Sequence, residues 1–590
     1  MAKALARVAQ TSRSYPLSIT AFDIAARDFF ACVPTCRNVV RSSWRAALIG
    51  AMVAALATLP GLGIGTLWDN SETAYGEVAR EVLLYHSAIV LHLNGHPWYV
   101  QPPLYFWIGA LFARLFGIGE FAFRLPAALA TIATSAAVGY VVARLATSRA
   151  AILATVVLST SLMEVVVGRL AIMDALLDLA VALAILAWFG ALRTGERRWW
   201  YGAWLALALG TLAKGPVAVV IPVMVVGAWV LWERRAGVAL RFPSPLQWAG
   251  GLALYFALVL PWAMALYAQA GPVALRELVG HYTVGRYLGT IENQSGPLYY
   301  YVPVVILGMF PWFAFLIPAS LDAFGEARRE RGASLARLCL VWAILPFVFF
   351  SFAQTKLPNY IALELPALAI LVAVWFDRIA ERDDRRSALI WTSVVPWTIG
   401  GLAFAIWAFS HDNKLLHDLH DVRFTLGAFG LSIFAGSALC FALLLARRSA
   451  WLAPFGLGAT SLAAMLILVL LGEPLAERFK PIPPLADAIE RMRKPGDIVA
   501  IQGVSGSNAL LFYTRPQIAI VDGPNGNDAG SDTDPRRAIC GAERAFVVTS
   551  RSRPEPDPTY GRDRRIVAAS GKDIVFLYDG PRCTEAVSGR

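Results

Sequence analysis

The stretch AALIGAMVAALATLPGLGIGT, residues 46–66, decides the fold class because it contains no charged residue. The hydrocarbon core of a bilayer is about 30 Å thick, and a helix needs about 20 apolar residues to cross it. Lipid offers no partner for unpaired backbone groups, so a helix is the expected conformation. Similar apolar runs lie at residues 174–192, 248–268, 388–409 and 424–446. We therefore expect an all-α polytopic membrane domain.

The composition of the whole chain agrees with a membrane protein. Its residues are 57% hydrophobic and 16% charged, and the mean hydropathy is +0.56. Soluble proteins are about 45–50% apolar and about 25% charged. The net charge of +11 would suggest nucleic acid in a soluble protein. Here the basic residues lie between apolar runs, so we interpret them as topology signals and expect no nucleic-acid partner.

The basic loops predict how the chain is oriented in the membrane. We expect about thirteen spans, with approximate cores at residues 46–66, 126–143, 150–167, 174–192, 199–212, 215–232, 248–268, 298–318, 338–353, 360–376, 388–409, 424–446 and 451–471. If residues 1–45 are a cytoplasmic arm, the inner segments hold 25 Lys and Arg and the outer loops before the C-terminal region hold 10. Positive charge gathers on the cytoplasmic side. We predict a multi-pass protein of the cytoplasmic (inner) membrane, with its transmembrane domain at residues 46–475.

One apolar segment is too short to be counted as an upright membrane span. Residues 104–117, LYFWIGALFARLFG, would invert every later loop if they crossed the membrane. We expect them to form an interfacial helix inside a long first outer loop, residues 67–125. A short tilted span is the alternative.

The chain becomes polar after the last apolar run. Residues 483–492 read as a helix, and β-rich runs follow at 497–502, 517–521, 544–550 and 573–578. We expect a small α/β domain at residues 476–590, and the odd number of spans places it outside. Cys540 and Cys583 could pair in that compartment.

The start of the first outer loop concentrates acidic residues. Asp69, Glu72 and Glu77 fall within nine residues. Carboxylates at such a place could take a proton from an attacking hydroxyl or coordinate a metal. Capping of the helix that begins near Glu72 explains them equally well.

The next two outer loops add charged residues at the mouths of spans. Arg169 and Asp174 could contact a substrate, or they could form a salt bridge with each other. Lys214 is followed by Gly-Pro, which we interpret as a cation at a helix start, where an anion is favoured. Snorkelling of Lys214 is the alternative.

The fourth and fifth outer loops contribute His281, Arg286 and Lys356. His281 and Arg286 could contact a phosphate or a metal. A lipid-borne phosphate at the outer interface would explain Lys214, Arg286 and Lys356 together, because Lys acts as a point charge and Arg can bind phosphate with two parallel hydrogen bonds.

Several motifs resemble a known family. They are WDNSETAYGEVARE, HLNGHPW, QPPLYFW, FAFRLPAAL, GRLAIMDALL, AKGPVA and TKLPNYI, in order from about Leu48 to Ala367. They resemble the lipid A aminoarabinose transferases and the broader protein O-mannosyltransferase-like superfamily. The resemblance implies a GT-C fold and transfer of a sugar, with inversion, from a polyprenyl-phosphate donor. It also implies an essential acid in the first loop and basic residues around the lipid phosphate.

The predicted site follows from the loops and the resemblance together. The candidate catalytic residues are Asp69, Glu72 and Asp174. The candidate substrate-binding residues are Tyr75, Glu77, Arg80, Arg169, Lys214, His281, Arg286 and Lys356.

Two departures from the family pattern bear on mechanism. Ser71 stands where the family's first-loop Asp is expected, and Asp69 lies two residues earlier. Val100 replaces the Glu of the family's Glu-Lys-Pro-Pro motif, a position that resembles a metal ligand paired with a His. No cofactor is expected with certainty. A divalent metal stays open, with His281 and Glu72 as candidate ligands.

The predicted function is a glycosyltransferase acting on the outer side of the membrane. Its partners would be a polyprenyl-phosphate sugar, membrane lipids and an acceptor that is a lipid, a glycan or a protein. The alternatives are a polytopic transporter or flippase and a non-catalytic membrane scaffold.

Overall fold

The protein is described by a computed structural model. The described residues are 41–68, 71–290, 294–332, 334–380, 394–410, 419–445, 453–514, 518–521, 539–551, 560 and 564–580. Asp69, the N-terminal arm up to residue 40, the predicted loop 522–538 and Cys583 lie outside these ranges.

The described part is mostly helical. Its long helices are residues 41–58, Glu120–Leu145, Asp174–Thr194, Arg197–Lys214, Val217–Arg235, Pro245–Leu275, Leu335–Phe352, Leu365–Ala380, Val395–Phe409, His420–Leu445 and Ala453–Ile467. Shorter segments are Ser148–Ser159, Leu162–Arg169, the π-helix Arg276–Gly285, Arg286–Leu288, Tyr301–Gly308, the 3₁₀ turn Trp312–Phe315, Leu316–Arg329, the 3₁₀ turn Pro358–Glu364, the π-turn Leu468–Gly472 and Glu473–Glu477.

The membrane helices confirm a polytopic all-α domain. Eight helices among the described residues are long and apolar enough to cross a bilayer, or up to ten if each bent pair is one span. Each predicted span core overlaps helix within the described ranges. The total of thirteen and the orientation stay predictions.

Two of the predicted spans are bent rather than straight. Helices Ser148–Ser159 and Leu162–Arg169 meet at 61°. Between them, the hydroxyls of Thr160 and Ser161 donate to carbonyls four residues earlier, at 2.6 Å and 2.7 Å. Such back-bonding competes with the helical ladder and bends helices.

Small residues let the membrane helices approach closely. A methyl group added at Gly139 would lie 2.8 Å from the carbonyl of Ala46, and one at Gly168 would lie 2.7 Å from the hydroxyl of Thr131. Helix pairs in membranes depend on such close packing because lipid offers no hydrophobic driving force between them.

The first outer loop contains more structure than its sequence suggested. Helix Glu72–Leu84 is followed by an antiparallel hairpin of β1 (Leu91–Leu93) and β2 (His96–Trp98). The turn is Asn94-Gly95, with φ of 55° and 79°. Asn-Gly is the strongest short-range hairpin signal, and the sequence analysis missed it. Residues 104–117 do form a helix, Leu104–Phe116.

The C-terminal region has a five-stranded sheet with strand order β4-β3-β5-β7-β6. The predicted strands are confirmed as β3 (Ile498–Gln502), β4 (Ala519–Val521), β5 (Arg544–Ser550) and β7 (Asp573–Asp579), and the predicted helix is Ile482–Met492. The analysis missed helix Ser507–Thr514 and the edge strand β6 (Arg564–Ser570). β6 begins with two arginines and has no buried residue, so its sequence lacks the apolar pattern of a core strand.

The C-terminal region packs against the first outer loop through a shared core. Phe512 contacts Phe123 with ring centroids 5.8 Å apart. The amide of Asn94 forms two hydrogen bonds with the backbone of Ile518, at 3.0 Å and 2.9 Å. The two regions are therefore joined by apolar and polar contacts. Cys540 is disulfide-bonded, and its pairing with Cys583 stays a prediction.

Candidate active site

A cavity of about 430 Å³ lies where the ends of several membrane helices meet. Its lining combines polar and apolar side chains. The polar lining includes Asp174, Asp178, Lys214, Arg286, Thr355, Asn359 and Tyr360, and the apolar lining includes Val217, Val220, Leu288, Phe349 and Leu363. A site with this mixed lining can hold a charged group attached to a hydrocarbon chain.

An ion pair connects two helices in the polar wall. Asp174 is the first residue of its helix, and Lys214 is the last residue of the helix Arg197–Lys214. The ammonium of Lys214 donates to Oδ1 of Asp174. The side-chain amide of Asn359 donates to the same oxygen at 2.6 Å. One carboxylate therefore positions both a cation and an amide in the cavity.

The structure corrects the argument that placed Lys214 at a helix start. Gly215 ends the preceding helix with φ of 82°, a conformation that favours glycine, and the next helix begins at Val217. Lys214 thus lies at a helix C-terminus, which is the favourable end for a cation. Its place in the cavity rests on the contact with Asp174.

A second cation borders the same cavity. Arg286 follows the π-helix Arg276–Gly285, and its Nη1 lies 3.5 Å from the hydroxyl of Tyr360. The ammonium of Lys214 is 5.2 Å from the centroid of the Tyr360 ring. Tyr360 therefore contacts both cations, and the two positive charges lie on one polar surface.

Asp178 is a cavity residue that the sequence analysis missed. It lies one helical turn after Asp174 and is 5% exposed. Its Oδ2 has no hydrogen-bond partner among the described residues. The spacing of four residues in DALLD was the signal that could have identified it. Asn359 and Tyr360 were likewise quoted in a motif without being selected.

Two predicted phosphate ligands lie outside the cavity wall. The ammonium of Lys356 donates to the carbonyl of Ala353, and its side chain is not part of the lining. His281 is exposed on the π-helix, where its ring contacts Tyr282 at 4.8 Å. Lys356 is not part of this lining, so the convergence of a third cation stays a prediction. The structure brings together Lys214 and Arg286.

Glu72 lies in a buried network instead of the cavity. Both of its oxygens accept from Arg124, at 3.0 Å and 3.1 Å. They also accept from the backbone N–H groups of Trp68 and Ala171, at 2.9 Å and 2.5 Å. Arg124 donates further to the carbonyls of the segment 62–66. This arrangement fixes the first loop to the membrane helices.

Arg169 belongs to the same structural network. Its guanidinium donates to the carbonyls of Thr58 and Pro60, each at 2.7 Å, and lies 3.6 Å from Glu473. Asp174 pairs with Lys214 instead. The alternative of an Arg169–Asp174 salt bridge is therefore wrong.

The remaining first-loop candidates are packed within their own loop. Tyr75 contacts the rings of Trp98 and Phe106, with centroids 6.2 Å and 6.0 Å apart. Glu77 and Arg80 form an ion pair with Nε–Oε2 of 2.7 Å, and both are almost fully buried. None of the three lines the cavity.

The proposed metal ligands do not form a site in the described part of the chain. Glu72 already accepts four hydrogen bonds, and His281 is exposed on another segment. Within the described ranges, no three His, Cys, Asp or Glu side chains come close enough to hold an ion. The pair Glu72–His281 therefore does not fit a metal. Asp69 lies outside the described residues.

Comparison with protein families identifies what the chain is similar to. Residues 100–264 match the model of the dolichyl-phosphate-mannose-protein mannosyltransferases. A relative from Erwinia tasmaniensis is 30% identical over 431 residues, which are 70% of this chain and 75% of the relative. One from Edwardsiella ictaluri is 29% identical over 63% of this chain and 73% of its own length. Both are named undecaprenyl phosphate-alpha-4-amino-4-deoxy-L-arabinose arabinosyl transferase.

Solved structures show the same fold. ArnT from Cupriavidus metallidurans, bound to undecaprenyl phosphate, matches with a TM-score of 0.70 and 20% identity. The match covers 90% of this chain and 97% of that protein. Its apo structure matches with a TM-score of 0.72 and 21% identity. The GT-C fold implied by the resemblance is thus confirmed, with a C-terminal sheet region.

Proposed function

This chain belongs to the family of the undecaprenyl phosphate-aminoarabinose arabinosyl transferases, and we propose that its cavity transfers a sugar from a polyprenyl-phosphate donor. The chain is a membrane glycosyltransferase. The acceptor is a lipid, a glycan or a protein on the outer side of the cytoplasmic membrane. Family membership argues against the transporter and scaffold alternatives. The observation that carries the proposal is the meeting of Lys214 and Arg286 in a cavity whose remaining lining is mostly apolar.

The polar and the apolar residues of the lining match the two halves of the donor. The phosphate of a polyprenyl-phosphate sugar carries negative charge, which Lys214 and Arg286 would bind as a point charge and as a forked donor. The hydroxyl of Tyr360 lies beside Arg286 and can donate to the same phosphate. The apolar wall formed by Val217, Val220 and Leu288 would take the first isoprene units.

The reaction is a single displacement with inversion. The acceptor oxygen attacks the anomeric carbon while the bond from that carbon to the phosphate oxygen breaks. Negative charge grows on the departing polyprenyl phosphate, and fixed cations stabilise such charge in the transition state. Lys214 is held ready for this role because Asp174 and Asn359 fix its position. The leaving group departs as polyprenyl phosphate.

The carboxylates of the cavity have separate tasks in this proposal. Asp174 is occupied by Lys214 and Asn359, so it positions the cation. Asp178 has an oxygen without a described partner and can accept a hydrogen bond from a sugar or acceptor hydroxyl. The acceptor's proton would pass to Asp69 or Asp178. A phosphate acceptor would need no base, and the carboxylate would then only orient it.

Release of polyprenyl phosphate tests the proposal. Purified protein in lipid nanodiscs is given a polyprenyl-phosphate sugar with label in the lipid, together with membrane extract as the acceptor source. We expect free polyprenyl phosphate to appear with the wild-type protein and to fall strongly with Lys214→Ala and with Arg286→Ala. Lys356→Ala is the matched control, because this side chain donates to the carbonyl of Ala353 and is not part of the cavity lining. Equal release from all four proteins would contradict the proposal.

A further inference from the structure

A second cavity lies at the other end of the membrane helices. It has a volume of about 570 Å³ and is lined by Ala228, Leu231, Trp232, Arg235, Ala236, Ala327, Arg328 and Arg337. Helix Val217–Arg235 begins at the wall of the active-site cavity and ends at this one. With a rise of 1.5 Å per residue, its ends are about 27 Å apart, close to the thickness of a hydrocarbon core of about 30 Å. The second cavity therefore lies at the opposite membrane interface, and we name it the basic cleft.

The floor of the basic cleft is electrically balanced. Arg337 is 2% exposed and forms an ion pair with the fully buried Glu233. Its guanidinium also donates to the carbonyls of Ala327 at 2.8 Å and Glu330 at 2.6 Å. All three guanidinium nitrogens of Arg337 already donate hydrogen bonds. Arg337 therefore lines the cleft without offering a charge to a ligand.

The lining of the basic cleft includes two cations that have no acceptor in the described part of the chain. Arg235 and Arg328 are exposed, and neither has a carboxylate or carbonyl partner among the described residues. Arg328 packs over the ring of Phe324 at 4.4 Å. Arg337 differs from both because it is buried and ion-paired, whereas the two exposed arginines have no acidic partner within the described ranges.

The acidic side chains of the neighbouring helix pair with another arginine and do not neutralise the charge of the basic cleft. Asp322 and Glu326 lie 3.0 Å and 3.4 Å from the guanidinium of Arg378. Together with Glu330 they line a different cavity of about 130 Å³. The two faces of helix Leu316–Arg329 thus differ in charge, and the face toward the basic cleft is cationic.

The remaining lining of the basic cleft is suited to lipid. Leu231 is 57% exposed, and Trp232 lies one turn before the helix end. Trp is enriched where membrane and water meet, and basic pockets between helices bind anionic head groups. We propose that the basic cleft binds the head group of an anionic phospholipid, with its phosphate between Arg235 and Arg328 and an acyl chain along Leu231. This inference is independent of the proposed sugar transfer.

Lipid titration of the full-length protein tests the inference. The purified protein is delipidated in a neutral detergent and titrated with phosphatidylglycerol or with phosphatidylcholine, and bound lipid is counted by native mass spectrometry. We expect phosphatidylglycerol to bind at least tenfold more tightly than phosphatidylcholine. The double variant R235A/R328A should bind phosphatidylglycerol roughly twentyfold more weakly, because each basic residue contributes about a factor of five near an anionic surface.

The matched control removes the same charge from the same two helix ends. R234A/R329A replaces neighbours that do not line the cleft and should leave binding close to wild type. Equal loss in both double variants would show diffuse surface charge and overturn the proposal, and so would unchanged binding in R235A/R328A. Displacement of the lipid by millimolar inorganic phosphate would assign the cleft to a free anion. Should R235A/R328A fail to fold, R235K/R328K serves instead, and wild-type selectivity for phosphatidylglycerol must persist in it.

Discussion

The ammonium of Lys214 and the carboxylate of Asp174 form a hydrogen-bonded ion pair across the wall of the active-site cavity. The two residues are 40 positions apart and lie at adjacent ends of two packed antiparallel helices. The pair places a cation where we propose that the donor phosphate binds. Asn359, from a third segment, holds the same carboxylate at 2.6 Å.

Replacing Lys214 should impair the chemical step. We expect Lys214→Ala to lower kcat by roughly 10²–10³-fold, because a fixed donor that stabilises transition-state charge contributes about that much. Steady-state transfer of labelled sugar in nanodiscs measures it. Lys356→Ala should stay within about threefold of wild type. A loss in Lys356→Ala as large as that in Lys214→Ala would restore the three-cation arrangement expected from sequence.

Replacing Asp178 should increase the stability of the protein and impair its activity. Asp178 is only 5% exposed, and its Oδ2 has no hydrogen-bond partner among the described residues. Burying a carboxylate costs more free energy than burying a neutral amide of the same shape, so Asp178→Asn should raise Tm. The same change should raise the donor or acceptor KM because a hydrogen-bond acceptor is weakened. Asp174→Asn is the comparison and should lower both Tm and kcat, since it weakens the hold on Lys214. Unchanged kinetics in Asp178→Asn would remove this residue from the site.

Glu72 should prove structural. Breaking a buried ion pair from one side costs about 3–5 kcal/mol, so Glu72→Gln should lower Tm clearly. The molecules that remain folded should keep most of their specific activity. Thermal unfolding and turnover per folded molecule measure the two quantities separately. Wild-type stability with abolished transfer would instead make Glu72 the first-loop catalytic acid.

The first outer loop should lose stability as the pH rises. Burial and the charge of Glu77 raise the pKa of Glu81 from 4.5 to about 8. Between pH 4.5 and about 8, Glu81 keeps its proton in the folded protein and has released it in the unfolded chain. The free energy of unfolding therefore falls with increasing pH. We expect Glu81→Gln to flatten this dependence between pH 5 and 9, as followed by Tm. Asp487→Asn, an exposed carboxylate of helix Ile482–Met492, should leave the profile unchanged. An equally steep profile in Glu81→Gln would refute the assignment.

The arrangement of the first outer loop shows where sequence reasoning was limited. The acidic cluster was visible, but Glu72 and Arg124 are 52 residues apart. No periodicity reports that their side chains share a buried pocket with the carbonyls of residues 62–66. A carboxylate prepared for catalysis and one held in a structural network look the same in a linear pattern.

The sequence by itself determined the class of the protein and its family. Long uncharged runs require membrane helices because lipid leaves backbone groups no other partner, and ordered motifs identify a glycosyltransferase. Tertiary structure decided which charges act together. Lys214, Arg286 and Tyr360 meet because helix packing brings three distant segments to one cavity. Lys356 and Glu72, equally prominent in sequence, point to other partners, since electrostatic interaction depends on distance in space and not on position along the chain.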